Sequence, residues 1–371
     1  MLPEFMPFYP TVFAVGDTYR IFIPFTEEAI LWIRVGESTY YDHVNGVLRS
    51  AVGMHRVDVP MSVLDAAGEY TVVYRKMTAR TPYYPQSEAE CAITIPFRPV
   101  PSDGDIHIYH ISDAHDMVRE PIAAGCYFGD ELDLLVLNGD LCNHSGDPTR
   151  LTAACEIASG ITEGRRATVF SRGNHDARGA YAEILQDYTP TKDGKTYYSF
   201  RVGGLWGLVL DCGEDKRDEQ IEYGGTVCFH AFREEETAFI RRVIENAERE
   251  YAAEGVRHKL VISHMGFTHV LQPPFDIEQE LYREWARLMR EQIKPDLLLH
   301  GHYHTTRISP VGSDFDHLGQ PCPAVIGSRP IFDKNHNHRF VGCALTLSPD
   351  GHHRVVFNDS LGQIIGDEVI E

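Results

Sequence analysis

Val169–Arg178 reads VFSRGNHDAR, an apolar run that ends in Gly173-Asn174-His175-Asp176. Four other apolar runs are likewise followed by residues of metal-binding type: Ile106–Ile111 by Asp113 and His115, Leu134–Leu137 by Asp140, Leu260–Ile262 by His264, and Leu297–Leu299 by His302 and His304. Short apolar runs are typical of strands buried on both faces of a sheet. In open α/β sheets the chemistry lies beyond the carboxyl ends of such strands. The sequence therefore predicts an α/β fold in which five strand ends bring Asp, His and Asn ligands together, a set that suits Mn, Fe or Zn.

The five motifs, taken in order, resemble the pattern of the calcineurin-like metallophosphoesterases. That pattern is Asp-x-His, Gly-Asp, Gly-Asn-His-(Asp/Glu), a lone His and Gly-His-x-His, and here it extends over about residues 105–345. The resemblance implies a metallophosphoesterase αββα sandwich, two divalent or trivalent metal ions, and phosphoester hydrolysis by a hydroxide that bridges the ions. It also implies the ligands, which are Asp113, His115, Asp140 and His304 for one ion and Asp140, Asn174, His264 and His302 for the other.

His175 stands beside a ligand but outside the implied ligand set. The resemblance gives it a catalytic role, in which it stabilises the phosphoryl group and protonates the leaving alkoxide. An imidazole suits that role because it titrates near neutrality. Ser/Thr phosphatases of the family support this histidine with an Asp, and purple acid phosphatases have a Tyr at the same place, whereas this sequence has Asn143. We therefore expect neither a charged dyad nor a purple tyrosinate–iron centre.

Arg178 closes the sequence GNHDAR, which resembles the class III cyclic nucleotide phosphodiesterase branch. Two interpretations of Arg178 stay open: it holds a phosphate oxygen, or it caps or salt-bridges a helix. Arg178 and Asn143 are our candidate substrate-binding residues. We interpret the charged loop Glu214–Glu219 as solvated.

Residues 1–98 contain none of the metal motifs. Runs such as Ile30–Val35 and Glu69–Tyr74 are β-rich and are separated by turn sequences, a pattern that predicts strands. We predict a small all-β sandwich at residues 1–98, resembling the fibronectin-like domains that precede some metallophosphatases, and the metallophosphoesterase domain at residues 105–371. The proline-rich Pro96–Gly104 is interpreted as a linker. We expect residues 1–98 to be dispensable for the metal site and to serve as a packing or dimerising module. A homo-oligomer is therefore one of the possibilities that the sequence leaves open.

The composition limits the partners. The 371 residues carry a formal net charge of −20, which argues against a nucleic-acid partner because such partners are bound through patches of Lys and Arg. No apolar run reaches the roughly 18 residues of a membrane span, and the N-terminus does not resemble a signal peptide, so we expect no membrane association and a cytoplasmic location. The eight cysteines include no CxxC pair, which argues against a disulfide framework.

We predict a metal-dependent phosphoesterase that acts on a small soluble phosphomonoester or phosphodiester. One alternative is a nuclease of the same superfamily, which the net charge disfavours. Another is a catalytically silent scaffold with the same fold, which is disfavoured because all seven ligands are present. A third metal at His336 and His338 is less favoured than solvated loop histidines.

Overall fold

The computed structural model describes residues 2–332 and 338–370. His336, one of the two histidines considered for a third metal, lies outside the described residues. Within them the chain forms five α-helices: α1 (Met61–Ala67), α2 (Arg119–Gly125), α3 (Ala153–Thr162), α4 (Phe229–Glu245) and α5 (Gln279–Leu288). None of the helices in the described part of the chain combines the length and the apolar character that crossing a membrane requires.

The described residues also form 23 strands: β1 (Thr11–Val15), β2 (Thr18–Phe25), β3 (Ala29–Val35), β4 (Ser38–Tyr41), β5 (His43–Val44), β6 (Val47–Leu48), β7 (Gly53–Pro60), β8 (Glu69–Ala79), β9 (Gln86–Ser87), β10 (Cys91–Pro96), β11 (Ile106–Ile111), β12 (Leu134–Asn138), β13 (Ala167–Ser171), β14 (Tyr198–Val202), β15 (Leu205–Leu210), β16 (His258–Ser263), β17 (Leu297–His300), β18 (Arg307–Ser309), β19 (Ala324–Ile326), β20 (Arg329–Phe332), β21 (His338–Leu347), β22 (His353–Asp359) and β23 (Ile364–Ile370). Each of the five apolar runs that precede the metal motifs forms a strand, namely β11, β12, β13, β16 and β17. Every residue of β12 and β13 is buried, as expected for strands covered on both faces.

Two large sheets form the body of the molecule. The first has ten strands in the order β23-β22-β21-β11-β12-β13-β1-β2-β7, with β20 paired to β21, and the second has six in the order β14-β15-β16-β17-β19-β18. The strands β11, β12 and β13 are parallel neighbours, and so are β15, β16 and β17. Their carboxyl ends therefore lie together at one edge of each sheet.

The two sheets pack face to face, and helices cover their outer faces. Leu260 and Ile262 of β16 lie in the same buried cluster as Ile108 of β11. On the other face of the second sheet, Val261 packs in a separate cluster with Trp285 of α5 and with residues of α4. The helices α2 and α3 contact strands of the first sheet. This layer order confirms the predicted αββα sandwich.

The N-terminal region is all-β apart from α1, as predicted, but its strands are divided between sheets. A small sheet contains β3, β4, β8, β9 and β10, whereas β1, β2 and β7 continue the ten-stranded sheet beyond β13. Val12 of β1 pairs in parallel with Ala167 of β13, and all five residues of β1 are buried. Phe97, in the predicted linker, is 4% exposed and contacts the ring of Tyr19. The N-terminal region thus shares a sheet with the catalytic region, and its separation as a domain at residues 98–105 stays a prediction.

Candidate metal centre

The loops at the carboxyl ends of the central strands have an uncommon backbone conformation. Asp113, His115, Asp140, His302 and His304 all have positive φ, between 44° and 68°. Residues other than glycine rarely adopt this region, and strain of about 1–3 kcal/mol per residue is found mainly at functional sites. Neighbouring loops hold the conformation in place, because N–H of Asp113 donates to the carbonyl of Gly139 and N–H of His115 donates to the carbonyl of Asp140, both at 3.0 Å.

Gly139 and Gly173 allow two of these loops to approach closely. A Cβ on Gly139 would lie 2.5 Å from Cα of Gly173, and a Cβ on Gly173 would lie 2.2 Å from Oδ1 of Asp140. A side chain at Gly139 would therefore collide with the backbone of Gly173, and one at Gly173 would displace Asp140, which explains why both motifs contain glycine.

Asp113, His115 and His304 present donor atoms that lie within 4.8 Å of one another. Nε2 of His115 lies 2.9 Å from Nε2 of His304, which in turn lies 3.4 Å from Oδ1 of Asp113. Burial alone would raise the pKa of Asp113, but the hydrogen bond from His304 and the charge of His264 hold that pKa below its usual range. A buried carboxylate and two imidazole nitrogens thus converge on one position that suits a cation.

Asp140, His264 and His302 form a second group with donor atoms within 4.8 Å of one another. Nδ1 of His264 donates to the carbonyl of Asn138 at 2.6 Å, and its Nε2 lies 3.1 Å from Oδ2 of Asp140. Burial alone would lower the pKa of His264, but the charges of Asp140 and Asp113 raise it. Burial alone would raise the pKa of Asp140, but His264 holds it below its usual range. Both pKa shifts have one cause, which is that the buried negative carboxylate and the positive imidazolium of His264 stabilise each other.

The side-chain amide of Asn174 shows how a metal would fit. With its oxygen turned inward, Oδ1 lies 3.1 Å from Nδ1 of His302. If the amide group is rotated by 180°, its nitrogen would donate to Oδ2 of Asp140 at 3.3 Å and to Nδ1 of His302 at 3.1 Å. Its oxygen would then accept from Nη2 of Arg178 at 2.8 Å. Hydrogen bonding favours the second orientation, whereas a cation among these acceptors favours the first. The carboxylate, imidazole and amide donors of the two groups therefore fit two divalent ions.

Asp176 is buried behind the ligands and supports their loops. Its Oδ2 accepts from N–H of Asp140 at 3.0 Å and from N–H of Gly173 at 2.9 Å, and its Oδ1 accepts from the thiol of Cys142 at 3.3 Å. Burial and the charge of Asp140 raise the pKa of Asp176 to about 6. Asp176 thus fixes the position of the backbone that presents Asp140 and Asn174.

The imidazole of His175 lies at the rim of the two groups and is oriented by backbone. N–H of His175 donates to Oδ1 of Asp140 at 2.8 Å, and ring Nδ1 donates to the carbonyl of Asn143 at 2.7 Å. N–H of Asn143 donates in turn to Oδ1 of Asp116 at 3.1 Å, while the Asn143 side chain is exposed. The carbonyl of Asn143, rather than its side chain, therefore orients the imidazole. Sequence motifs give no signal for a backbone contact of this kind.

Arg178 forms a bidentate ion pair with Glu214. Its Nε and Nη2 donate to the two carboxylate oxygens at 2.6 and 2.7 Å, and its Nη1 lies 3.0 Å from Nε2 of His175. A guanidinium can only donate, so Nε2 of His175 accepts here and the ring proton is on Nδ1. Glu214 is 1% exposed, so the interpretation of its loop as solvated is wrong at this residue. Arg178 thus forms a salt bridge, but with a loop residue rather than with a helix, and phosphate binding stays a prediction.

Sequence analysis missed an aromatic wall beside the ligands. The ring of His269 stacks on Phe315 with centroids 3.9 Å apart and an interplanar angle of 5°, and His317 continues the stack at 4.9 Å. Tyr303 meets His269 edge-on at 5.3 Å. Because Tyr303 stands between His302 and His304, the wall borders the candidate metal centre. The aromatic residue inside the Gly-His-x-His motif was the one signal in the sequence that pointed to this wall.

The structure brings the seven predicted ligands, His175 and Arg178 to the same edge of the two sheets. A family model described as calcineurin-like phosphoesterase matches residues 104–306. No curated protein matches the sequence. Among solved structures, the chain is similar to a purple acid phosphatase from seeds of yellow lupin (Lupinus luteus), with a TM-score of 0.59, 12% identity, and coverage of 98% of this chain and 74% of that chain. It is also similar to PhoD, with a TM-score of 0.54, 12% identity, and coverage of 100% of this chain and 94% of that chain. At this level of identity the two structures support the fold.

Proposed function

The chain belongs to the calcineurin-like phosphoesterase family, and from that premise we propose that it hydrolyses an ester bond of a small soluble phosphomonoester or phosphodiester with the help of two bound metal ions. Membership of the family makes it a metal-dependent phosphoesterase. One observation carries the finer proposal, namely the convergence of donor atoms from five strand ends, with Nε2 of His115 and Nε2 of His304 only 2.9 Å apart.

The seven donors divide into two overlapping ligand sets. We assign Asp113, His115, Asp140 and His304 to one ion of the Mn, Fe or Zn type, and Asp140, Asn174, His264 and His302 to the other. Asp140 is shared because it belongs both to a group with His115 and His175 and to a group with His264 and His302. When bound, two such ions lower the pKa of a bound water and stabilise negative charge on a phosphoryl group.

His175 and Arg178 would act together on the substrate. Nε2 of His175 and Nη1 of Arg178 are 3.0 Å apart, so a phosphoryl oxygen at this rim would receive a charge-assisted hydrogen bond from the guanidinium. Glu214 holds the other two guanidinium nitrogens and thereby keeps Nη1 directed at the rim. Once Nη1 donates to substrate, Nε2 of His175 can take up a proton from solvent, and the imidazolium can then donate that proton to the leaving oxygen while Nδ1–H stays bonded to the carbonyl of Asn143. The exposed Asn143 side chain lies at the same rim and is the second candidate contact for substrate.

A small substrate is favoured by charge and by shape. A net charge of −20 repels an extended polyanion, because binding to a phosphate backbone depends on Lys and Arg. Beside the ligands, the half-buried ring of His269 and the exposed ring of His317 form a stack with buried Phe315, and an aromatic stack suits a planar group on the substrate. Action in the cytoplasm and assembly into a homo-oligomer stay predictions from the sequence.

Metal content and hydrolysis, measured on one preparation, test the proposal. We expect full-length protein loaded with Mn²⁺ to hydrolyse p-nitrophenyl phosphate or its bis ester, and the ratio of the two rates separates a monoesterase from a diesterase. Asp140→Asn keeps the size of the side chain but removes the charge, so the variant should lose two ions and most of the activity relative to wild type. Asp147→Asn, on an exposed turn, is the matched control and should lose neither.

Two other outcomes would contradict the proposal. A folded protein that holds two ions but cleaves neither ester, and cleaves no member of a panel of natural phosphoesters, would support the catalytically silent scaffold. Cleavage of a polynucleotide at a far higher rate than either small ester would support the nuclease.

A further inference from the structure

We propose that the chain carries a second, separate metal site, formed by His258, Asp296 and His353, which binds one Zn²⁺ or a similar divalent ion and links the two large sheets. Within the described part of the chain, these three potential ligands form a cluster outside the candidate metal centre. Their donor atoms lie within 4.8 Å of one another.

The site lies at the opposite end of the strands from the candidate metal centre. His258 begins β16 and His264 follows its last residue, so at about 3.3 Å per residue the two histidines are roughly 20 Å apart. Asp296 directly precedes β17, in the second sheet, and His353 begins β22, in the first sheet. The three ligands thus come from both sheets and would be joined across the layer between them.

The distances suit one ion after small side-chain rotations. Nδ1 of His258 lies 3.9 Å from Oδ2 of Asp296, and the rings of His258 and His353 have centroids 5.6 Å apart at an interplanar angle of 72°. Ligand atoms around a tetrahedral zinc ion lie about 3.3 Å from one another, since each is about 2.0–2.1 Å from the metal. A contact of 3.9 Å is too long for a hydrogen bond, so the present arrangement leaves His258 and Asp296 close but not bonded.

Neither of the two buried imidazoles is held by a short hydrogen bond in the described part of the chain. His258 is 3% exposed, and its Nε2 has no hydrogen-bond partner among residues 2–332 and 338–370. His353 is 6% exposed, and its Nδ1 accepts one long bond, 3.3 Å, from N–H of Ser348. Metal binding by the two imidazoles would therefore break no short hydrogen bond, because the contact from Ser348 is already long.

The charge balance also suits a divalent ion. Burial of the two imidazoles favours their neutral form, which is the form that binds metals. Asp296 supplies one negative charge, and N–H of Lys259 fixes its Oδ2 at 2.7 Å. Two neutral imidazoles and one carboxylate are a donor set that proteins use for zinc with water as the fourth ligand. Because one ligand belongs to the β21–β22 hairpin, the ion would fasten this hairpin to the second sheet.

Zinc stoichiometry in matched variants tests the proposal. Full-length protein is stripped with a chelator, reloaded with Zn²⁺ alone and desalted, and zinc per chain is measured by elemental analysis. We expect His353→Gln and Asp296→Asn each to lose one equivalent of zinc relative to wild type and to keep the wild-type rate of phosphoester hydrolysis. Asp296→Asn retains an oxygen for the Lys259 hydrogen bond, so it remains informative if His353→Gln does not fold. His352→Gln changes the neighbouring exposed histidine and should retain all the zinc.

The readout separates this site from the candidate metal centre. A difference of one equivalent between wild type and the variants supports the second site whether or not the centre binds its own two ions. Equal zinc in wild type and both variants would overturn the inference. So would an equal loss of zinc in His352→Gln, or a loss of zinc matched by a proportionate loss of hydrolysis, which would place the missing ion at the centre.

Discussion

Replacing His175 with alanine is expected to leave both metal ions in place and to slow hydrolysis most for substrates whose leaving group needs a proton. The side chain makes two hydrogen bonds, in which Nδ1 donates to the carbonyl of Asn143 and Nε2 accepts from Arg178, and its ring meets the ring of His115 edge-on with centroids 4.8 Å apart. The backbone N–H that donates to Asp140 remains in the alanine variant. The two ligand groups should therefore keep their geometry, while the proton donor is lost.

The size of the effect follows from the two roles that the imidazole can have. General acid catalysis contributes about 10²–10⁴-fold, which is about 2.7–5.4 kcal/mol at 1.36 kcal/mol per factor of ten. Positioning alone is limited to one hydrogen bond to a charged group, about 1.5–3 kcal/mol, or roughly 10–150-fold. A nitrophenolate leaves without a proton, so its ester should show only the positioning loss. An alkyl ester should show the larger loss, so the two losses should differ by about 10–10²-fold.

The assay is kcat for a series of esters from p-nitrophenyl through phenyl to alkyl, measured together with metal content. His144→Ala is the matched control, because His144 is an exposed histidine on the neighbouring loop and should leave the whole series unchanged. Equal losses across the series would refute proton donation and reduce His175 to a positioning residue. Loss of metal in His175→Ala would show instead that His175 is a ligand.

Three further predictions concern the framework of the site. Gly173→Ala places a Cβ 2.2 Å from Oδ1 of Asp140, so it should lose bound metal and activity in elemental analysis and kinetics, whereas Gly366→Ala, whose Cβ would meet only Phe357 at 3.3 Å, should keep both. Glu236 is fully buried, and burial with the charge of Asp211 raises its pKa well above 4.5. A carboxyl whose pKa is raised in the folded state stabilises the fold at pH values below the pKa of the unfolded state, and this contribution is lost as pH rises. Urea unfolding should therefore show stability that falls above about pH 4.5 in wild type and less steeply in Glu236→Gln, and identical slopes in the two proteins would exclude Glu236 as the cause. A 100–371 fragment loses β1 and uncovers β13, so we now expect it to be insoluble or unfolded by circular dichroism; a folded fragment that binds metal would support the predicted domain boundary.

The strands that carry the ligands could be predicted because their burial is a local property. β12 and β13 are apolar throughout and are buried throughout, so a short apolar run followed by a polar motif identifies both the strand and its functional end. The prediction needed no knowledge of sheet order. The αββα layers were predicted in a different way, because they were implied by the resemblance of the five motifs to the calcineurin-like metallophosphoesterases.

Sheet membership in the N-terminal region could not be predicted in this way. The runs that form β1 and β3 have similar β-rich composition, yet β1 joins the catalytic sheet and β3 joins the small one. What decides between them is which edge is free to pair, and an edge is a property of the folded sheet. The pairing of Arg178 with Glu214 and the support of His175 by a carbonyl were missed for a related reason, because each depends on loops that meet only in the fold.

The strand β16 shows why the site at one end of the strands could be predicted from the sequence and the site at the other end could not. Alternate residues of a strand share a face, and Leu260 and Ile262 lie in the layer between the sheets while Val261 lies in the helix-side cluster. By the same alternation His258 belongs to the inter-sheet face at the start of the strand, as His264 does just beyond its end. His264 could be assigned because it stands in an ordered set of motifs, each at the carboxyl end of a strand. His258, Asp296 and His353 share no motif and lie at amino-terminal strand ends, where an isolated histidine in the sequence is indistinguishable from a core residue, and only the distances between the sheets connect them.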